Sequence, residues 1–155
     1  MNLAVPFIPL LSLAAFAVNI FWGRRLGHKA AWLSIAASLA SCGIALPVIF
    51  RVIQGGQLAA EWPWLSLGTY TLRFGYLIDA PAATLLFVVT IIGTLIQIYS
   101  VGYMHGDPRY SRFFAYLSLF TFAMLTLVIA SNYVLFFMAW EIMGLCSYLL
   151  IGFWF

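Results

Sequence analysis

The sequence predicts an all-α membrane protein with about five transmembrane helices and a short β-hairpin in the loop between helices 2 and 3. Hydrophobic residues make up 65% of the 155 residues, charged residues make up only 7%, and the mean hydropathy is +1.06. A water-soluble domain carries about a quarter charged residues, so this much apolar surface favours a lipid bilayer. The apolar residues also form five runs, each near the roughly 20 residues that a bilayer-spanning helix needs.

The first two predicted helices cover residues 3–22 and 30–53, separated by the loop GRRLGHK. Pro6 and Pro9 lie near the start of the first run, and Pro47 is expected to kink the second helix near its end. The segment that follows is too polar to cross a bilayer. Polar and apolar residues alternate over Thr69–Phe74, a period of two that predicts a short β-hairpin capping one membrane face, with an irregular loop as the alternative.

The remaining three predicted helices cover residues 81–103, 108–130 and 133–155. Asp79 is expected to cap the third helix, because its side chain can accept from free backbone N–H groups and Pro81 fits the first turn. Asp107 and Pro108 predict the same arrangement at the start of the fourth helix. The fifth helix reaches Phe155 without a helix stop signal, so we expect the chain to be part of a longer protein.

The charges of the loops predict the orientation of the bundle. The segments GRRLGHK and HGDPRYSR fall on one side and carry five basic residues, whereas the other side has only Arg51 and Arg73. Basic loops face the inner side of a membrane, so the hairpin is expected on the outer side. Seven scattered basic residues form no stripe, which argues against nucleic-acid binding.

Glu141 is the main candidate site residue. It lies inside the fifth apolar run, where a charged side chain costs about 2.5–3.5 kcal/mol and is a functional candidate by default. Desolvation favours the neutral acid, and a nearby cation favours the carboxylate. A carboxyl held between these two influences can load and release a proton. We therefore expect a buried carboxylate that acts as a proton relay; a hydrogen bond across the bundle is the alternative.

Four further positions are weaker candidates. Gly144 and Tyr148 lie three and seven residues after Glu141, on the same helical face, where Gly144 would allow close helix packing and Tyr148 would offer a hydroxyl. Gln97 on the third helix would hydrogen-bond a neighbouring helix or border a water path, and packing is favoured. Thr121 is expected to bond its own helix backbone.

The sequence shows no set of residues for binding a cofactor or metal. His28 and His105 lie far in sequence from Cys42 and Cys146, and no cysteine set would hold an iron–sulfur cluster. No glycine-rich phosphate loop or Ser/His/Asp trio is present. If the protein serves a redox enzyme, its redox centres are therefore expected on other chains, with no cofactor on this one.

Two blocks, GYMHGDPRYSRFFAY and WEIMGLCSYLLIGFW, carry a family resemblance. The chain resembles the N-terminal part of the antiporter-like L-type (chain 5) membrane subunit of NADH:quinone oxidoreductase, respiratory complex I. The likeness is strong from about Asp79 onward and looser before it. Ile142 and Met143 stand where many members have glycine and valine, and Gln97 stands where many have histidine.

The resemblance implies that residues 1–155 begin a proton-translocating, antiporter-like membrane domain. It implies that Glu141 is the family's glutamate on the fifth helix, which pairs with a lysine on a later helix. The implied partners are the lipid bilayer and the other membrane subunits of the complex, while NADH and quinone bind elsewhere. The implied location is a bacterial cytoplasmic membrane or an energy-transducing organelle membrane. A subunit of a multisubunit cation/proton antiporter and a truncated structural membrane fragment remain the alternatives.

Overall fold

The computed structural model describes residues 4–68 and 70–154, except the side chains of Arg24, Leu67 and Tyr70. Leu3, Thr69 and Phe155 belong to predicted elements but lie outside the described residues. The elements are, in chain order, α1 (Phe7–Leu26), α2 (Lys29–Ile53), β1 (Leu58–Leu67), β2 (Tyr70–Ile78), α3 (Ala80–Tyr103), α4 (Tyr110–Ile129) and α5 (Tyr133–Ile151), which continues as a 3₁₀ turn over Gly152–Trp154. The predicted helical fold with one hairpin is confirmed.

Within the described chain, four helices are long and apolar enough to cross a bilayer: α2, α3, α4, and α5 with its 3₁₀ turn. Helix α1 has a shorter apolar segment, Phe7–Gly23. The whole of α1 rises about 30 Å, close to the thickness of the hydrocarbon core, but its last turn carries Arg24 and Arg25.

Helix α4 is the centre of the bundle. It packs against α1, α3 and α5, and α2 packs against both α1 and α3. Half of the apolar window of α4 is buried, compared with 17% for α5, which packs mainly on α4. Helix α5 is therefore the least covered of the spanning helices.

The hairpin is longer than predicted and is attached to the bundle at one end. Strands β1 and β2 pair antiparallel, with a bulge between Pro63 and Leu65. The N–H of Ser131 donates to the backbone oxygen of Gly75 at 3.4 Å, next to a bridge between Tyr76 and Ala130. A Cβ at position 75 would lie 2.5 Å from the backbone oxygen of Ala60, so only glycine allows this close approach.

Two apolar clusters lie at opposite ends of the bundle. The hairpin end contains Ile8, Val48, Ile78, Leu86 and Leu125. The end with the α1–α2 and α3–α4 loops contains Ala31, Met104, Tyr110, Phe114 and Phe153. His28 and His105 stack with their ring centroids 5.4 Å apart, so the two basic loops lie on the same side of the bundle, as predicted. That this side faces the inner side of the membrane stays a prediction.

The start of α4 differs from the prediction. Helix α4 begins at Tyr110 and not at Pro108, and no side chain caps it. The Oδ1 atom of Asp107 accepts from the N–H of Arg109 at 2.6 Å, two residues on, which forms a local turn before the helix begins. The prediction that Asp107 caps α4 with Pro108 as its first residue was wrong. The cap of α3 is confirmed: Oδ1 of Asp79 accepts from the N–H of Ala82 at 3.0 Å.

Candidate functional site

Helix α5 carries Glu141 near its middle. The side chain of Asn132 caps α5, and its Oδ1 accepts from the N–H of Leu135 at 2.9 Å. Because the α-helix ends at Ile151, Glu141 stands one residue before its midpoint, about 1.5 Å along the helix axis. It is therefore more central than the sequence suggested, since the predicted helix extended to residue 155.

The carboxyl group of Glu141 is exposed and makes no hydrogen bond or ion pair with any residue that the structure describes. Helix α5 packs on α4 through Leu135, Ala139 and Cys146, its three buried residues. At 100° per residue these side chains lie on the side of the helix opposite Glu141. The expectation that this bundle itself buries the carboxylate was wrong, because Glu141 points away from α4.

Gly144 and Tyr148 share the exposed face of Glu141, as their spacing predicted. A Cβ added at Gly144 would meet no atom within 4 Å among the described residues, so no second backbone approaches there. The side chain of Tyr148 is 74% exposed and is not hydrogen-bonded to Glu141. It lies instead in a groove with Arg109 and Arg112, nearer the loop end of the bundle.

The uncovered face of α5 is apolar around its single carboxyl. Val134, Phe137, Leu145 and Ile151 are all exposed along it. We define this surface, with Glu141, Gly144 and Tyr148, as the open face of α5. Glu141 gives it one ionisable group close to the middle of the helix.

Gln97 lies elsewhere in the bundle. Its side chain is 1% exposed, and its Nε2 donates to Oγ1 of Thr121 on α4 at 3.4 Å. This is the contact between helices that the sequence analysis favoured for Gln97. Its Oε1 has no partner among the described residues. Thr121 donates to the backbone oxygen of Leu117 at 2.9 Å, as predicted. No described contact joins Gln97 to Glu141.

The sequence analysis missed a buried polar network between α1, α2 and α4. The Nδ2 of Asn19 donates to Oγ of Ser34 at 2.8 Å, and Oγ of Ser118 donates to the same oxygen at 2.8 Å. All three side chains are at most 2% exposed. An asparagine in the middle of an apolar run was the signal that could have identified this network, because amides and hydroxyls join helices inside a bilayer.

A second missed contact joins the end of α5 to the α3–α4 loop. The Nε1 of Trp154 donates to Oδ2 of Asp107 at 3.0 Å. This hydrogen bond, and the one from the N–H of Arg109, lower the pKa of Asp107. The guanidinium of Arg109 lies over the ring of Phe153, 4.9 Å from its centroid. The GFW sequence therefore fastens the end of the helix that carries Glu141.

Among the described residues, no group of three histidine, cysteine, aspartate or glutamate side chains is placed to hold a metal ion. Cys42 and Cys146 are both free thiols. The expectation that the chain carries no cofactor stays a prediction.

Comparison with known families and proteins gives consistent matches. The family described as NADH-Ubiquinone oxidoreductase (complex I), chain 5 N-terminus, matches residues 64–114. The chain is 36% identical to NAD(P)H-quinone oxidoreductase subunit 5 from the chloroplast of Anthoceros angustus, over 97% of its own length and 21% of that protein. It is 41% identical to NADH-quinone oxidoreductase subunit L of Mycobacterium tuberculosis, over 94% of its own length and 24% of that protein.

A solved structure supports the fold. A chain of the Mrp complex from Dietzia sp. superposes with a TM-score of 0.76 and 27% identity, over 95% of this chain and 16% of that one. This chain spans only a fifth to a quarter of the length of the relatives from Anthoceros angustus and Mycobacterium tuberculosis.

Proposed function

We propose that this chain forms the N-terminal part of a chain 5, or L, subunit of NADH-quinone oxidoreductase and helps to translocate protons, because it is similar to such subunits over nearly its whole length. The observation that carries this proposal is the 36–41% identity over 94–97% of the chain. We assign the NADH and quinone sites to other subunits of the complex, and this chain contributes membrane helices and one carboxyl within them, that of Glu141.

Glu141 is proposed as a proton relay because of its position in an apolar helix. It lies near the middle of α5, where an unpaired carboxylate costs about 2.5–3.5 kcal/mol in lipid. A cation that lies close to a carboxyl group favours its ionised form. When a cation approaches, ionisation becomes favourable and the proton leaves; when the cation withdraws, a proton returns.

The open face of α5 is evidence that a partner of Glu141 lies outside the described residues. Gly144 leaves room for a second helix, because a Cβ there would contact nothing within 4 Å. Small residues are the usual sites where membrane helices approach closely. We propose that a further segment of the subunit packs on this face at the level of Glu141 and Gly144, short of Tyr148 and Ile151 at the end of the helix. It would bring a cationic side chain to Glu141 and bury the carboxyl that this bundle leaves exposed.

The test is Glu141→Gln in the full-length subunit within the assembled complex. The amide keeps the size of the side chain but cannot ionise, so we expect less proton pumping per NADH oxidised. The matched control is Glu61→Gln, which removes an exposed carboxylate on the hairpin. Pumping should remain normal in the control. Normal assembly with unchanged pumping in the Glu141 variant would contradict the relay role, and this chain would then have a structural role.

A subunit of a multisubunit cation/proton antiporter is the second candidate, favoured by the likeness to a chain of the Mrp complex. The two candidates differ in their energy source. An NADH-quinone oxidoreductase acidifies or alkalises vesicles only when NADH is oxidised. An antiporter exchanges sodium ions for protons, so a sodium gradient drives proton movement in vesicles that lack respiration. Sodium-driven proton transport without NADH would favour this second candidate.

A further inference from the structure

A groove between α4 and the end of α5 is separate from the Glu141 carboxyl. It encloses about 480 Å³. Arg109, Arg112 and Tyr116 line it from the α4 side, and Tyr148, Leu149 and Ile151 line it from α5. We propose that this groove binds an anionic phospholipid, with the lipid phosphate between the guanidinium groups of Arg109 and Arg112. The proposal does not depend on proton translocation by Glu141.

Neither arginine of the groove forms an ion pair with a described carboxylate, although the charge of Arg109 contributes to the lowered pKa of Asp107. Among the side chains that the structure describes, the one ion pair is Arg73 with Glu61, at the hairpin end of the bundle. Asp107 is near the groove, but its two oxygens accept from the N–H of Arg109 and from Trp154. The guanidinium groups of Arg109 and Arg112 thus have no described carboxylate within ion-pair distance, and guanidinium matches the geometry of phosphate.

Arg109 is held in place before any ligand arrives. Its guanidinium lies over the Phe153 ring at 4.9 Å, and Phe153 is itself buried. A guanidinium stacked on an aromatic ring keeps its N–H edges available for an anion. Less conformational freedom is therefore lost when a phosphate binds to Arg109.

The groove lies at the level where lipid headgroups meet hydrocarbon. Tyr103 and Trp154 pack together at this end, with ring centroids 6.0 Å apart, and both are exposed. Exposed Tyr and Trp residues are typical of the membrane interface. Tyr116 and Tyr148 lie about one helical turn further into the membrane than Arg112 and Ile151, at the depth expected for the glycerol ester groups of a lipid.

Beyond the tyrosines the surface becomes apolar. Leu145 is exposed on α5 about one helical turn further into the membrane than Tyr148, whereas Leu149 and Ile151 line the groove at the level of the arginines. An acyl chain can lie along these side chains while its phosphate stays with the arginines. This order of cationic, hydroxyl and apolar groups matches a phospholipid better than a free anion, which would use only the first of the three.

The experiment compares lipid retention by the full-length subunit in its complex, purified from vesicles of phosphatidylcholine containing a minority of phosphatidylglycerol. Retained lipids are counted by native mass spectrometry. We expect phosphatidylglycerol to be enriched, with about a fivefold loss of affinity for each arginine removed in Arg109→Gln and Arg112→Gln. The matched control is Arg51→Gln, which removes an exposed charge at the other end of the bundle and should retain the lipid.

Two further arms keep the result interpretable. Arg112→Lys preserves the charge and should retain more phosphatidylglycerol than Arg112→Gln even if both fold less well. Phosphatidylglycerol with a photoreactive group in its glycerol region should crosslink near Tyr148. Four results would each overturn the proposal. They are equal retention of both lipids, a loss of lipid in Arg51→Gln equal to that in the other two variants, and crosslinks from Tyr148 to protein alone. The fourth is full displacement of the bound lipid when inorganic phosphate is added as a competitor.

Discussion

Trp154 and Asp107, 47 residues apart in the chain, are joined by a hydrogen bond of 3.0 Å from the indole Nε1 to the carboxylate Oδ2. This bond connects the 3₁₀ turn at the end of α5 to the loop between α3 and α4. Tyr103, Phe113 and Arg109 surround it with ring and guanidinium contacts to Trp154 and Phe153. The end of the helix that carries Glu141 is therefore fixed by polar and aromatic contacts, whereas its open face is not covered.

Trp154→Phe should loosen this connection without removing the ring. The phenyl group can still pack on Tyr103, but it cannot donate to Asp107, so the loop over residues 104–109 should exchange its amide hydrogens faster. The pKa of Asp107 should rise, because the bond from Trp154 is the largest cause of its lowering. Hydrogen exchange followed by mass spectrometry checks the first effect. Trp64→Phe on the hairpin is the control and should leave this loop unchanged.

The same contact predicts a dependence of stability on pH. The folded protein lowers the pKa of Asp107 below its ordinary value. A lowered folded pKa gives a stabilisation that is present above the ordinary pKa and is lost as the pH falls through the lowered one. Acid titration of thermal unfolding should show this loss in the parent protein and a smaller one in Asp107→Asn. Equal pH profiles for the two proteins would contradict the contribution of Asp107.

Asn132 is predicted to stabilise α5 and the hairpin through different atoms. Its Oδ1 caps α5, and its Nδ2 donates to the backbone oxygen of Arg73 at 2.7 Å. Asn132→Ala should lose both bonds, at about 1 kcal/mol for the cap and a similar amount for the second bond. Asn132→Asp keeps the acceptor and loses the donor, so it should keep the first turn of α5 protected while the hairpin exchanges faster. Loss of protection in α5 with Asn132→Asp would contradict this division.

The positions of the helices could be predicted from the sequence because the length of each apolar run corresponds directly to the length of a membrane-spanning helix. Their ends depend on individual contacts. Helix α1 continues to Leu26, beyond the predicted residue 22, because the helix geometry persists through the arginine pair until Gly27, where φ is positive. Helix α5 ends at Ile151, before the predicted residue 155. It ends there because the following turn directs Trp154 toward Asp107.

The exposure of Glu141 could not be predicted, because α5 is apolar on every side. A helix that is apolar all round gives no sign of which face meets a neighbouring helix. The sequence placed Glu141, Gly144 and Tyr148 on one face correctly, but the choice of the opposite face for packing depends on α4.

The length of the hairpin could not be predicted either. Polar and apolar residues alternate only over Thr69–Phe74, because β1 is exposed on both of its faces around its bulge. The sequence therefore predicted a shorter hairpin than the structure shows.

The most direct test of the central proposal is difference infrared spectroscopy of the assembled complex during NADH oxidation, compared between the parent protein and Glu141→Gln. A carboxyl that loads and releases a proton changes its C=O stretching band as it does so. We predict such a band in the parent protein and its absence in the variant. The same carboxyl band in both proteins would contradict a relay role for Glu141.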